Sequence, residues 1–241
     1  MKKNKIVMSV ISGLLVAAVA VGGTLAYLSD KTDTVTNTFN VGTGYEEDEK
    51  GHVGLWLDET AKTGGENPLV PSETDRTETG VAYDDMYPGD VVAKDPTFHL
   101  TDGSIESYVF AEVKGLDALI EKGYFVSASY IPMDPTSDPE NDINRNWVKV
   151  SEGNGLDGIY RYTTTVGGDK SDEMEPLFSF VRLGSGVDNE EFDGITLTNV
   201  YVRGVAVQAD NTIEASAYAA AQEVLNAAGA IEDSASSVGN N

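Results

Sequence analysis

Residues 195–207 read Ile-Thr-Leu-Thr-Asn-Val-Tyr-Val-Arg-Gly-Val-Ala-Val, and the second half of this stretch decides the fold. Val200-Tyr201-Val202 and Val205-Ala206-Val207 are apolar at consecutive positions. Successive side chains of a strand point to opposite faces, so a strand apolar at every position belongs in the middle of the molecule, covered on both sides. Tyr108-Val109-Phe110-Ala111-Glu112-Val113 is a second strong strand, with Val109, Ala111 and Val113 on one face and Tyr108 and Phe110 on the other.

Working outward, short strands alternate with turns. Strand patterns are read at residues 53–57, 91–100, 124–131, 147–150, 158–166 and 177–183. Pro96 interrupts the 91–100 run and implies an edge position or a bend, since proline cannot donate to a ladder. Tyr87-Pro88-Gly89-Asp90 is a turn in which Pro sets one central φ and Gly permits the next to be positive. Thr101-Asp102-Gly103-Ser104 is another turn. Residues 61–82 read as loop, and residues 116–122 as one short helix.

Residues 212–228 break the β pattern. They are Ala-rich, with Ile213, Ala217, Ala220, Val224, Leu225 and Ala228 at helical spacing. Asn211 with Glu214 resembles a capping box, and Gly229 is placed to end the helix. The expected fold is therefore mainly β: an antiparallel β-sandwich of jelly-roll or Greek-key order with a C-terminal Ala-rich helix. The chain divides into residues 1–26, a 27–42 strand-like segment, a 43–228 sandwich domain with its late helix, and a polar disordered tail at 229–241.

The N-terminus has the three parts of a secretory signal peptide. Lys2, Lys3 and Lys5 precede an apolar run from Ile6 to Val21, and Gly22-Gly23-Thr24-Leu25-Ala26 supplies small residues. Thr24 and Ala26 stand at the −3 and −1 positions of a cleavage site between Ala26 and Tyr27. The competing reading is an uncleaved anchor, because residues 6–28 carry no charge and roughly 20 apolar residues span a bilayer. Cleavage leaves 215 residues with 13 basic and 40 acidic side chains, a net charge of −27. Such a surface repels nucleic acid and anionic lipid. There is no cysteine, so an apolar core alone holds the fold.

Residues that could carry chemistry are few. The two histidines, His52 and His99, belong to no H-E-x-x-H pattern, and no thiol nucleophile exists. No catalytic, cofactor-binding or metal-ligating residue is assigned. Asp134, Asp138, Glu140 and Asp142 in one loop, and Asp188, Glu190, Glu191 and Asp193 in another, have the oxygen chemistry of Ca²⁺ ligands without the EF-hand spacing. Solvated acidic loops are the simpler reading of both.

Residues 23–30, Gly-Thr-Leu-Ala-Tyr-Leu-Ser-Asp, followed by Asn37-Thr38-Phe39-Asn40-Val41-Gly42, resemble the start of TasA/camelysin-family proteins. Tyr87-Pro88-Gly89-Asp90 leading to Lys94-Asp95-Pro96, and Tyr108 to Val113, are similar to that family's turn-and-strand region. The nearest flavour is the BsaA-like biofilm matrix proteins, and residues 43–85 match least. The resemblance implies cleavage by a dedicated signal peptidase (SipW) and a secreted, extracellular location with no membrane attachment afterwards. It also implies polymerisation with identical subunits into matrix fibres, without enzymatic turnover. In such fibres the freed N-terminal segment of one subunit inserts as a strand into the next. Val35, Phe39 and Val41, which share one face of a β period, are then the subunit-interaction residues. The alternatives are pairing of that segment within its own subunit, a camelysin-like metallopeptidase, and a monomeric surface adhesin.

Overall fold

A computed structural model describes residues 29–31, 45–83, 86–129, 140–167, 173–185 and 199–228. The strands are β1 (Ser29–Lys31), β2 (Leu55–Thr60), β3 (Arg76–Thr77), β4 (Val91–Ala93), β5 (Thr97–Leu100), β6 (Ser107–Lys114), β7 (Tyr124–Ser127), β8 (Trp147–Lys149), β9 (Gly158–Tyr162), β10 (Phe180–Leu183) and β11 (Tyr201–Gln208). Among the described residues two α-helices accompany them, α1 (Leu116–Glu121) and α2 (Glu214–Ala227). All pairings are antiparallel. One sheet has the order β1-β11-β6-β9-β8; two smaller sheets have the orders β4-β10-β7 and β3-β2-β5. The mainly β, antiparallel expectation and the late helix both hold, with sheets of five, three and three strands.

β6 and β11 pair over eight residues, from Tyr201↔Lys114 to Gln208↔Ser107. On one side of this ladder, Val109, Ala111, Val113 and Ala206 join the main core with Phe98, Leu100, Val126, Phe178 and Leu183 of the smaller sheets and their connections. On the other side, Phe110, Val205 and Val207 meet Ala217, Ala220, Ala221 and Leu225 of α2. Both faces of β11 are thus covered, as its sequence requires.

Pro96 divides the 91–100 run. The residues before it form β4, at the edge of one small sheet, and those after it form β5, at the edge of the other. The Tyr87–Asp90 turn closes with the Asp90 N–H donating to the Tyr87 carbonyl at 2.8 Å, and Gly89 has φ +93°. Burial of β11 also needs a glycine. A Cβ at Gly204 would lie 2.4 Å from the Phe98 ring.

Two expectations at the helix start are corrected. The residue preceding α2 is Ile213, with no side-chain cap, and Asn211 instead takes the left-handed conformation (φ 57°) that turns the chain out of β11. Asparagine adopts that region more readily than most residues, so the turn, not the cap, explains it. Ile213 is 71% exposed and does not join the apolar face. Gly229 lies outside the described residues.

Phe98 is fully buried and joins the two layers. Phe98→Ala is expected to lose about 3–5 kcal/mol of unfolding free energy in urea melts, with the slope of the transition unchanged.

Candidate functional site

The place where the N-terminal segment meets the sandwich is built from β11 outward. Ser29, Asp30 and Lys31 pair with Val207, Ala206 and Val205. β1 is the edge strand of its sheet, and it touches α2 on one side and β2 on the other. The slot that receives it therefore has three walls: the β11 edge, the helix and β2. Those walls hold together without it, because β11 is bound to β6 over its full length and α2 packs on Val205 and Val207. Three residues of ladder contribute little beside this, roughly 1 kcal/mol net per hydrogen bond. Among the described residues, β1 covers only Val205–Val207 of β11.

The segment read from sequence as a donor thus has three described residues, and they sit on β11 of their own chain. Ala26, Tyr27, Val35, Phe39 and Val41 lie outside the described residues. The chain resumes at Tyr45, anchored on the β5–β6 turn. The Glu46 N–H donates to Ser104 Oγ at 3.1 Å, and the Thr101 hydroxyl donates to the Glu46 carbonyl.

A cavity of about 490 Å³ opens beside Asn199–Val202, between β11 and β2. Leu57, Met86, Val92, Leu119, Phe178 and Val181 give it an apolar wall, and residues 77–83 form a strap along it. The strap is tied down by an ion pair and two hydrogen bonds. Lys94 pairs with Glu59, whose carboxylate accepts the Val81 N–H at 2.9 Å. The Tyr83 hydroxyl donates to the Ala93 carbonyl at 2.8 Å. Burial, with Glu59 and Asp95 nearby, pushes that hydroxyl far above the ordinary phenol range.

Residues 61–82, read from sequence as loop, are ordered by one arginine. Arg76 donates to Asp58 Oδ1 at 2.8 Å, Asp95 Oδ2 at 2.7 Å, Thr97 Oγ1 at 2.9 Å and the Ser72 carbonyl at 2.8 Å. Asp58 and Asp95 are 7% and 2% exposed, so the guanidinium compensates two carboxylates withdrawn from water. Burial works to raise the Asp58 carboxyl, but hydrogen bonds with His99 and Arg76 hold it below the ordinary carboxylate range. The sequence signal, a lone arginine in an acidic loop, was there but had no pattern to mark it.

The two histidines do meet, on one tryptophan. His52 stacks on one face of Trp56 at 4.2 Å and 8°, and His99 stacks on the other at 4.1 Å and 18°. His52 Nδ1 lies 2.6 Å from Asp48 and its Nε2 2.9 Å from Glu78; His99 Nε2 lies 2.9 Å from Asp58. The ring nitrogens of the two imidazoles face separate carboxylates, Asp48 and Glu78 for His52 and Asp58 for His99. Among the described residues, no group of three or more His, Asp or Glu is arranged to hold a metal. Of the acidic runs, Asp142 accepts the Ala128 N–H at 2.9 Å and seals the edge of β7. Asp134, Asp138, Asp188, Glu190, Glu191 and Asp193 lie outside the described residues. No described helix is long and apolar enough to cross a membrane.

The fold and this slot define a β-sandwich that carries its own N-terminal strand on an otherwise complete sheet edge. Residues 1–45 match the family model described as camelysin metallo-endopeptidase, a likeness confined to that N-terminal segment. No curated protein and no solved structure matches the chain. A metallo-endopeptidase implies a metal, and among the described residues His52 and His99 belong to no group arranged to hold one.

Arg76→Ala should cost about 3 kcal/mol in urea melts near pH 7, because it strands two buried carboxylates. The contribution of Asp58, whose pKa is lowered on folding, is present above about pH 4 and is lost as pH falls through the lowered value. The gap between wild type and variant is therefore expected to narrow in acid.

Proposed function

We propose that the chain is a secreted structural subunit that polymerises into extracellular fibres. Residues 27–42 of one copy take the place of β1 on the β11 edge of the next. The carrying observation is the slot itself: β1 occupies three positions of an edge whose walls are complete without it. A strand leaving that slot exposes unpaired N–H and C=O groups on β11, and those groups are satisfied by a strand from another copy. Each copy donates at one end and accepts at another, so the contact is head-to-tail and does not close. A signal peptide joined to Tyr27 would block the exchange until its removal. The family match at residues 1–45 supports the reading, since it covers both the leader and the donor segment.

The measurement is negative-stain microscopy of two purified chains, one starting at Tyr27 and one at Gly42, at neutral and acidic pH. Filaments from the first alone are expected. Filaments from both would move the joint away from residues 27–41, and filaments from neither would sink the structural role. The net charge of −27 makes subunits repel, so acid or divalent cations should promote assembly. The family description favours peptidase activity as a second reading, and chelator-sensitive casein cleavage that His52 or His99 substitutions abolish would establish it.

A further inference from the structure

His52 lies between two carboxylates, one on each ring nitrogen. Nδ1 faces Asp48 Oδ2 at 2.6 Å, and Nε2 faces Glu78 Oε1 at 2.9 Å. A neutral imidazole carries one N–H, so it can donate to only one of them and turns a lone pair toward the other. The imidazolium donates to both. The geometry therefore suits the charged ring alone.

The two contacts are not equivalent. Asp48 belongs to the same turn as His52, and its carboxylate also accepts the backbone N–H groups of Lys50 and His52 at 2.8 and 2.9 Å. Glu78 comes from the strap, follows β3, and is the contact reaching across from another part of the chain. When the ring loses its proton, the remaining N–H stays with the better-built Asp48 partner and the Glu78 contact turns repulsive. The stack on Trp56 favours the present ring plane, so the contact is relieved most easily by movement of the exposed Glu78.

We propose that His52 is a proton-operated tie that fastens the residue 45–54 hairpin to the Glu78 end of the strap beside the cavity and loosens that end when it discharges, while Val81 and Tyr83 keep the other end in place. The surrounding charges agree. Asp48 and Lys50 face the ring system from the hairpin, Glu78 from the strap, Asp58 from β2 and Arg76 from β3, while His99 stands on β5. Burial works to lower the His52 pKa, but hydrogen bonds and charge from Asp48 and Glu78 carry it above the ordinary imidazole value. A group raised on folding contributes fully below its unfolded pKa of ~6.5 and loses that contribution as pH rises through the folded value. The strap is thus held in mild acid and loosened in mild alkali. The loosened end is part of the wall of the 490 Å³ cavity beside β11. The tie is independent of polymerisation and operates within a single copy.

The test is amide hydrogen exchange of residues 77–82 at pH 5.5 and 8.5, corrected for intrinsic rates, in the wild type, His52→Gln and Glu78→Gln. Protection in the wild type should fall about tenfold between the two pH values, because the raised His52 pKa ties the contact to the charged ring. Glu78 is more than half exposed, so Glu78→Gln leaves the fold intact. Its amide can also donate to a neutral Nε2, so its protection should change little with pH, as should that of His52→Gln. Equal wild-type protection at both pH values would overturn the tie, and so would a tenfold fall that survives in both variants.

Discussion

Everything else in this molecule hangs on the ladder between β6 and β11. Eight consecutive pairs join the two strands, and apolar side chains leave it on both faces. One face needs the small sheets and the other needs α2. A single pairing therefore dictates a sheet in the middle, a second β layer below and a helix above. Gly204 marks the tightest point, where β11 lies against the Phe98 ring. The short strands at the margins, β1, β3 and β8, add edges to a structure that this ladder already organises.

The polar part of the molecule follows a different logic. On the outer side of β2, Asp58 and Thr60 are buried, not solvated, because residues 61–82 fold back over them. Arg76 makes that arrangement tolerable by donating to Asp58, Asp95 and Thr97 at once. A buried carboxylate without such a partner would cost several kcal/mol. Arg76 thus organises the middle of the loop, and its far end is held by the Val81 N–H on Glu59 and by the Glu78 contact with His52.

The fold was legible in sequence where it depends on local pattern. The alternation at 108–113, the Pro96 break and the Tyr87–Asp90 turn each specify their own backbone and stand as read, while the double-sided run read from residue 195 becomes a strand only at Tyr201, with Asn199 and Val200 outside it. The site was less legible, because it depends on residues far apart in the chain. His52 and His99 carry no motif, and only the register Trp56↔His99 brings them to one indole. Asp142 read as part of a solvated acidic loop, yet its carboxylate serves a backbone N–H at the β7 edge. Asn211 and Glu214 had the spacing of a cap, but the tight turn after β11 claimed the asparagine first.

The alanines of α2 have a consequence of their own. Ala217 and Ala221 are fully buried, and each offers a single methyl group to the sheet. They act as a gauge that sets how closely the helix lies over β11, and so how wide a gap remains beside it for β1. A helix with leucine at these positions would stand further off and accept a bulkier strand, while rejecting the present one through poor contact. The distance between helix and sheet is thus written in side-chain volume instead of charge.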